Sequence, residues 1–336
     1  MKRKFEIFFF KFIPSIIVIF IVATDNYNLG FQYKMTPEAF IYLTRALDII
    51  QENFYKKSEI NWPDLRFQAY HTSMGALAPV DTYPSIRVVI EQLHEGHTIF
   101  WEPGKFNQYL SIDPGLLPSG YFIGTKVAYI NLPGMMGMEK EQMYAYAQKT
   151  QELIRQMDTW QNCGWIIDLR SETGGNMWGV LAGVGPLLGE GELGYFLYPN
   201  GNKLRWYYEN GEAKYGNSVA IDMGNDRYSL KRPNPPVAVL VGSMTTSAGE
   251  AIAIAFRGRE KTRFFGVSTN GFSTSNQLFY LSDQATIMLT VAIDADRTGK
   301  TYGGPIIPDE IVEPAKGETK VIDAASAWLL SLPDCQ

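Results

Sequence analysis

The sequence predicts an α/β protein with an N-terminal helical subdomain and a small inserted β-meander, and three observations lead there. Residues 36–95 carry apolar side chains at helical spacing. From Lys126 onward, short apolar runs alternate with long amphipathic stretches in a βαβ rhythm. Between 193 and 216, Asn200-Gly201 and Asn210-Gly211 punctuate aromatic segments, the composition of tight antiparallel turns.

The chain has 336 residues, room for two or three structural units and a large core. Its 46% apolar and 19% charged content is that of a globular protein rather than a disordered or multi-span membrane chain. A net charge of −5 supplies no general attraction for nucleic acid, which is excluded as an expected partner. Two cysteines, Cys163 and Cys335, allow at most one intramolecular disulfide. At the N-terminus, Lys2, Arg3, Lys4 and Lys11 precede the apolar run from Phe12 to Ala23, as in a signal peptide, with Ala23 placed to precede cleavage. An uncleaved anchor tethering the chain to a membrane is the alternative. Either assigns 1–25 to a leader and puts the folded part outside the cytoplasm, whether periplasmic, secreted or membrane-anchored.

Element by element, Thr36-Pro37-Glu38 starts a helix whose Phe40, Leu43, Leu47, Ile50 and Phe54 recur on one face. A second helix begins near Trp62-Pro63-Asp64. A third runs from about Pro84 to Gly96, with Ile86, Val89 and Leu93 on its apolar face and His94 in its last turn. These form a helical subdomain over 26–115, and residues 104–125 contain Gly, Pro and aromatics without helical periodicity. The α/β core spans 116–336. Its strands are Lys126 to Leu132, Gly164 to Leu169, Pro236 to Val241, Phe264 to Val267, Gln277 to Leu281 and Thr286 to Ile293. Residues 138–158 form the longest helix, with Met143, Leu153 and Met157 read as packing.

Two strand-to-helix turns have residues suited to chemistry. In the segment Gly242-Ser-Met-Thr-Thr-Ser247-Ala-Gly-Glu250, a serine stands at a helix N-terminus, where free N–H groups favour developing negative charge. That suits an acyl-transfer nucleophile, although Ser247 and Glu250 also match a capping box that needs no catalysis. In Asp168-Leu-Arg170-Ser-Glu-Thr-Gly174-Gly175, paired glycines let main-chain N–H groups approach a ligand. A tight turn with a structural Asp168–Arg170 pair is the competing reading. Only His71, His94 and His97 are available as general bases near neutral pH, and His97 stands out because Gly96 lets it leave the helix. His94-x-x-His97, broken by glycine, matches no metalloprotease pattern, so no metal and no organic cofactor are expected.

Taken in order, Glu95-Gly-His97-Thr, Asp168-Leu-Arg-Ser-Glu-Thr-Gly-Gly175, Thr246-Ser-Ala-Gly-Glu250 and Pro308-Asp309 resemble the tail-specific, or C-terminal-processing, serine peptidases, closest to their tricorn-core-like branch. The resemblance covers roughly residues 36 to 333. It implies a Clp-protease/crotonase-like βα core, a peptide or protein substrate, Ser247 as nucleophile and His97 as base. It also implies an oxyanion hole from the backbone of Ala248 and of Gly174 or Gly175. The lysine base of the processing branch is replaced by Phe272, and Tyr302 falls near the tricorn-like branch's downstream glutamate. Glu250, Asp294, Asp309 and Glu310 are therefore the candidate orienting acids. Gly96 stands where a serine can orient the histidine, and Glu172 where the family usually has asparagine. The short stretch between His97 and Lys126 has no room for a PDZ domain of about 80–100 residues. These departures motivate the alternative of a non-catalytic peptide- or lipid-binding protein on the same fold. The oligomeric state is not read from the sequence.

Overall fold

The computed structural model describes residues 32–110, 116–313 and 319–336. The expected signal or anchor lies outside them, and no helix among the described residues is long and apolar enough to cross a membrane. The chain divides into two compact units. One comprises residues up to Lys105 with Gln277–Leu289, and the other Phe106–Asn276 with Thr290–Gln336.

In the first unit, α1 (Pro37–Asn53) starts as its sequence directs, with proline in the first turn and Thr36 Oγ1 accepting the Ala39 N–H at 3.3 Å. Its buried face includes Phe40, Leu43, Leu47 and Ile50. Helices α2 (Trp62–Thr72) and α3 (Tyr83–Glu91) follow, and Ser73 donates to Ser85 at 2.6 Å between them. Asp283 ties the later segment to the helices by accepting the Tyr42 and Tyr83 hydroxyls. Helix α3 ends at Glu91, earlier than its apolar face suggests. His94 is thus not in a helical turn but in a left-handed conformation at φ 53°, and Gly96 follows at φ 74°. The short strand β1 (Ile99–Trp101), unanticipated, pairs antiparallel with residues 286–288.

The second unit contains a six-stranded sheet. The stretch expected to lack helix contains the short α4 (Lys105–Leu110) at the boundary, and then a strand, β2 (Ser119–Ile123). Strands β3 (Val127–Asn131) and β4 (Gly164–Asp168) flank α5 (Lys140–Met157), and α6 (Met177–Leu188) leads into the meander β5 (Gly191–Leu197), β6 (Lys203–Glu209), β7 (Glu212–Tyr215) and β8 (Ser218–Asp222). Then come β9 (Val237–Val241), α7 (Ala248–Phe256), β10 (Thr262–Gly266), β11 (Thr274–Tyr280), β12 (Thr286–Asp296), β13 (Glu310–Ile311) and α8 (Thr319–Ser331). The sheet order is β13-β10-β9-β4-β3-β2, all parallel except β2. The last residues of β12, Ile293–Asp296, pair with β5.

Alternation along β9 sorts the core. Val237, Val239 and Val241 join a cluster with α5, α6 and α7, whereas Ala238 and Leu240 join another with Val321, Ala325 and Leu329 of α8. Both faces of the parallel sheet are covered, which is why its strands read as continuous apolar runs. Met143 and Met157 are buried in the first cluster, as packing. Cys163 and Cys335 form a disulfide across 172 residues, with Cα atoms 4.9 Å apart.

Candidate active site

Ser247 sits where β9 passes into α7. The turn is clamped from below: Thr245 Oγ1 accepts the Gly242 N–H at 3.0 Å and donates to the Leu169 carbonyl at 2.8 Å. The Thr246 N–H donates to the Glu172 carbonyl at 3.1 Å, joining this turn to the one after β4. So held, Ser247 adopts φ 52°, ψ −110°, a conformation that costs a non-glycine residue on the order of 1–3 kcal/mol. Its own N–H donates to Glu250 Oε2 at 3.1 Å, the glutamate half of the capping box. The Gly249 N–H donates to the Thr246 carbonyl at 2.9 Å. Ala248 heads the helix, where the first N–H groups lack intrahelical acceptors.

Glu250 is fully buried, yet well supplied with donors. Besides Ser247, the Gly271 N–H reaches its Oε1 at 2.9 Å, and the Thr269 hydroxyl and Phe272 N–H also donate to it. Burial raises its pKa and these donors oppose the rise. Phe272, where the processing branch has its lysine, thus contributes a backbone donor.

The Gly174-Gly175 turn lies against the serine. A Cβ built on Gly174 would fall 3.3 Å from the Ser247 Cβ, and both glycines have positive φ, 98° and 111°. The Gly175 backbone presses on Met135, whose carbonyl oxygen would be 2.0 Å from an added Cβ. Gly174 donates its N–H to Glu172 Oε2 at 3.1 Å. Glu172 is completely buried, its Oε1 has no hydrogen-bond partner, and burial pushes its pKa up to about 8. Its carboxyl also packs on Gly249, where an added Cβ would lie 2.3 Å from Oε2. Nothing in the sequence order announced this packing; its one signal was the acid in place of the family asparagine.

Asp168 and Arg170 form the structural ion pair that was one of their two readings, at 2.6 Å, and Asp168 also accepts the Tyr129 hydroxyl at 2.7 Å. They line an open cavity of about 530 Å³ at the C-terminal ends of β3, β4 and β9, together with Ser243 and Met244 of the serine turn.

The other acids divide by partner. Asp309 accepts from Arg257 at 2.7 Å and from the Phe264 N–H at 2.8 Å, and Glu310 pairs with Arg263 at 3.2 Å. Asp294 is buried with Oδ1 unpartnered, and burial raises its pKa well above the usual carboxylate value. Tyr302 donates its hydroxyl to Asp296 at 2.8 Å. In the first unit, Glu95 grips the backbone of the histidine turn, accepting the His97 N–H at 3.2 Å and the Thr98 N–H at 2.6 Å. His97 is buried, which lowers its pKa to about 4 against the opposing charge of Glu95. Among the described residues, no three His, Cys, Asp or Glu side chains are grouped to hold a metal ion.

A parallel βα core with a serine at a strained strand-to-helix turn has the Clp-protease/crotonase-like fold of the processing peptidases. The chain belongs to peptidase family S41, whose sequence profile matches residues 126–312. It is 34% identical over 169 residues to a nisin-resistance protein of Lactococcus lactis, covering 50% of each chain. It is 29% identical over 192 residues to a carboxyl-terminal-processing protease of Synechocystis, covering 56% of this chain and 39% of that one. The chain thus spans half or less of the length of these curated relatives. Among solved structures, a lipoprotein from Streptococcus agalactiae superposes with a TM-score of 0.72 at 22% identity, covering 88% of this chain and 97% of that one. A photosystem II D1 C-terminal processing protease gives 0.57 at 15% identity, covering 88% and 98%. These two likenesses show the fold.

Proposed function

We propose that this chain is a serine-type endopeptidase acting outside the cytoplasm or at a membrane, with Ser247 as nucleophile and His97 as general base. The observation that carries the reading is the strained, positive-φ serine at the head of α7, within the region that matches the S41 family. In the reaction, Ser247 Oγ attacks a peptide carbonyl as its proton passes to His97 Nδ1 or Nε2. The oxyanion is met by the Ala248 N–H and one from Gly174 or Gly175. His97 then returns the proton to the leaving amine, and water hydrolyses the acyl-enzyme by the same route. A histidine whose pKa is lowered to about 4 is neutral at physiological pH, the form a base requires. Of the candidate orienting acids, Asp294 alone has a buried carboxylate oxygen without a partner, which favours it for that role.

The test is covalent labelling by a fluorophosphonate, read by mass spectrometry. The native protein is expected to be labelled at Ser247, and Ser247→Ala and His97→Ala each to lose at least 99% of the rate, on the order of the 10²-fold or greater effects typical of such groups. Undiminished labelling in Ser247→Ala would sink the assignment. The second reading, a non-catalytic peptide- or lipid-binding protein, draws support from the Gly174 N–H, which Glu172 already occupies. Retention of a peptide or lipid without labelling would favour it.

A further inference from the structure

Glu172 is a buried titratable group to which the mechanism above assigns no task, and it touches both oxyanion loops. Its Oε2 accepts the Gly174 N–H at 3.1 Å from the turn after β4. The Gly249 N–H, in the first turn of α7, and the Met135 N–H also donate toward its carboxyl. The main-chain carbonyl of Glu172 takes the Thr246 N–H, so the residue holds the serine turn from both its ends. Its Oε1 is buried and makes no hydrogen bond of good geometry, so the donors gather on one side of the carboxyl.

We propose that Glu172 is a protonation-gated latch on the Gly174 N–H: ionised, it holds that amide, and neutral, it releases the amide to a developing oxyanion. The consequence for catalysis rests on the peptidase reading. A carboxylate accepts an amide N–H in a charge-assisted bond about twice as strong as the bond to a neutral acceptor. It also sets a like charge beside the oxyanion. The proton lost on ionisation passes to solvent. The gate lies in a useful range because burial pushes the Glu172 pKa to about 8. Two titratable neighbours face it. Glu250, from α7, adds like charge and raises the Glu172 pKa, and Tyr146, from α5, donates its hydroxyl to the Pro133 carbonyl at 2.7 Å and stays neutral because its own pKa is raised.

The experiment follows the fluorophosphonate labelling rate at Ser247 from pH 7 to pH 9 in the native protein and in Glu172→Gln, alongside the Gly174 amide ¹⁵N shift over the same range. The native rate is expected to fall about tenfold by pH 9, as ionisation leaves about a tenth of Glu172 neutral, with the Gly174 shift moving at the same midpoint. In Glu172→Gln both curves should be flat. A decline that persists in Glu172→Gln, or a native Gly174 amide that does not titrate while Ser247 labels normally, overturns the latch and leaves the peptidase reading standing. A Gly174 amide that titrates near pH 8 only with glutamate present, in a protein whose Ser247 never labels, upholds the latch and sinks the peptidase. The shift measurement on the native chain keeps the test decisive should Glu172→Gln fold poorly.

Discussion

Glu250 and Glu172 lie on opposite sides of one serine turn, both fully buried, and differ in how many donors reach them. Four groups donate to Glu250: three backbone amides and the Thr269 hydroxyl. Glu172 has three, the backbone amides of Gly174, Gly249 and Met135, with no hydroxyl among them, and its Oε1 makes no hydrogen bond of good geometry. Both pKa values rise with burial, and that of Glu172 reaches about 8. The contrast shows that burial alone does not set a carboxylate's chemistry; the donors around it decide whether it serves as a rigid cap or as a titrating group.

The largest effect that tests this contrast is expected from Glu250→Ala. Three half-buried amides and a buried hydroxyl would lose their acceptor, costing on the order of 3–5 kcal/mol in urea unfolding. A loss near zero would mean that the capping role is ornamental. Glu172→Gln should act in the opposite sense, by an amount that grows as the pH rises. Because the folded-state pKa of about 8 lies above the ordinary 4.5, the folded protein retains a proton that the unfolded chain releases between those values. Native stability therefore falls as pH rises through that window, whereas the glutamine variant escapes the fall. The difference in unfolding free energy between the two proteins is expected to shift by about 3.5 kcal/mol in favour of glutamine from pH 5 to pH 8. A constant difference would place the Glu172 pKa near its ordinary value. The smallest effect is expected from Gly249→Ala, whose added Cβ would lie 2.3 Å from Glu172 Oε2 and 2.7 Å from its carbonyl oxygen. A loss of about 1–3 kcal/mol by thermal unfolding is expected, despite alanine's better helix propensity. Combining it with Glu172→Ala should recover only part, since the carbonyl contact remains.

How much of this was legible in the sequence depends on whether a feature is local. The helix at Pro37 declares itself through Thr36 and a repeating apolar face, and the strands of the parallel sheet through runs such as Val237–Val241. The serine turn is legible for the same reason, because strand, turn and helix are consecutive. Strand β2 is not, since Ser-Gly-Tyr-Phe-Ile lies among glycines and prolines and alternates no polarity; its pairing with β3 supplies what its own pattern lacks. Helix α8 had a usable signal in Val321, Ala325 and Leu329, four residues apart. The disulfide joins residues 172 positions apart, a distance over which no spacing rule operates. The Glu172 contacts with Gly174 and Gly249 belong to the same class: the residue was visible as an oddity, but its partners are set by the meeting of two turns that the chain visits about 75 residues apart.

The backbone of Ser247 carries one more implication. Glycine tolerates φ 52° without penalty, and serine does not, so Ser247→Gly would relieve strain while removing the hydroxyl. Random change at this position therefore has a downhill direction, toward a sturdier protein without a nucleophile. Folding by itself would never prefer the serine there, and a chain that keeps it is answering to some demand other than durability.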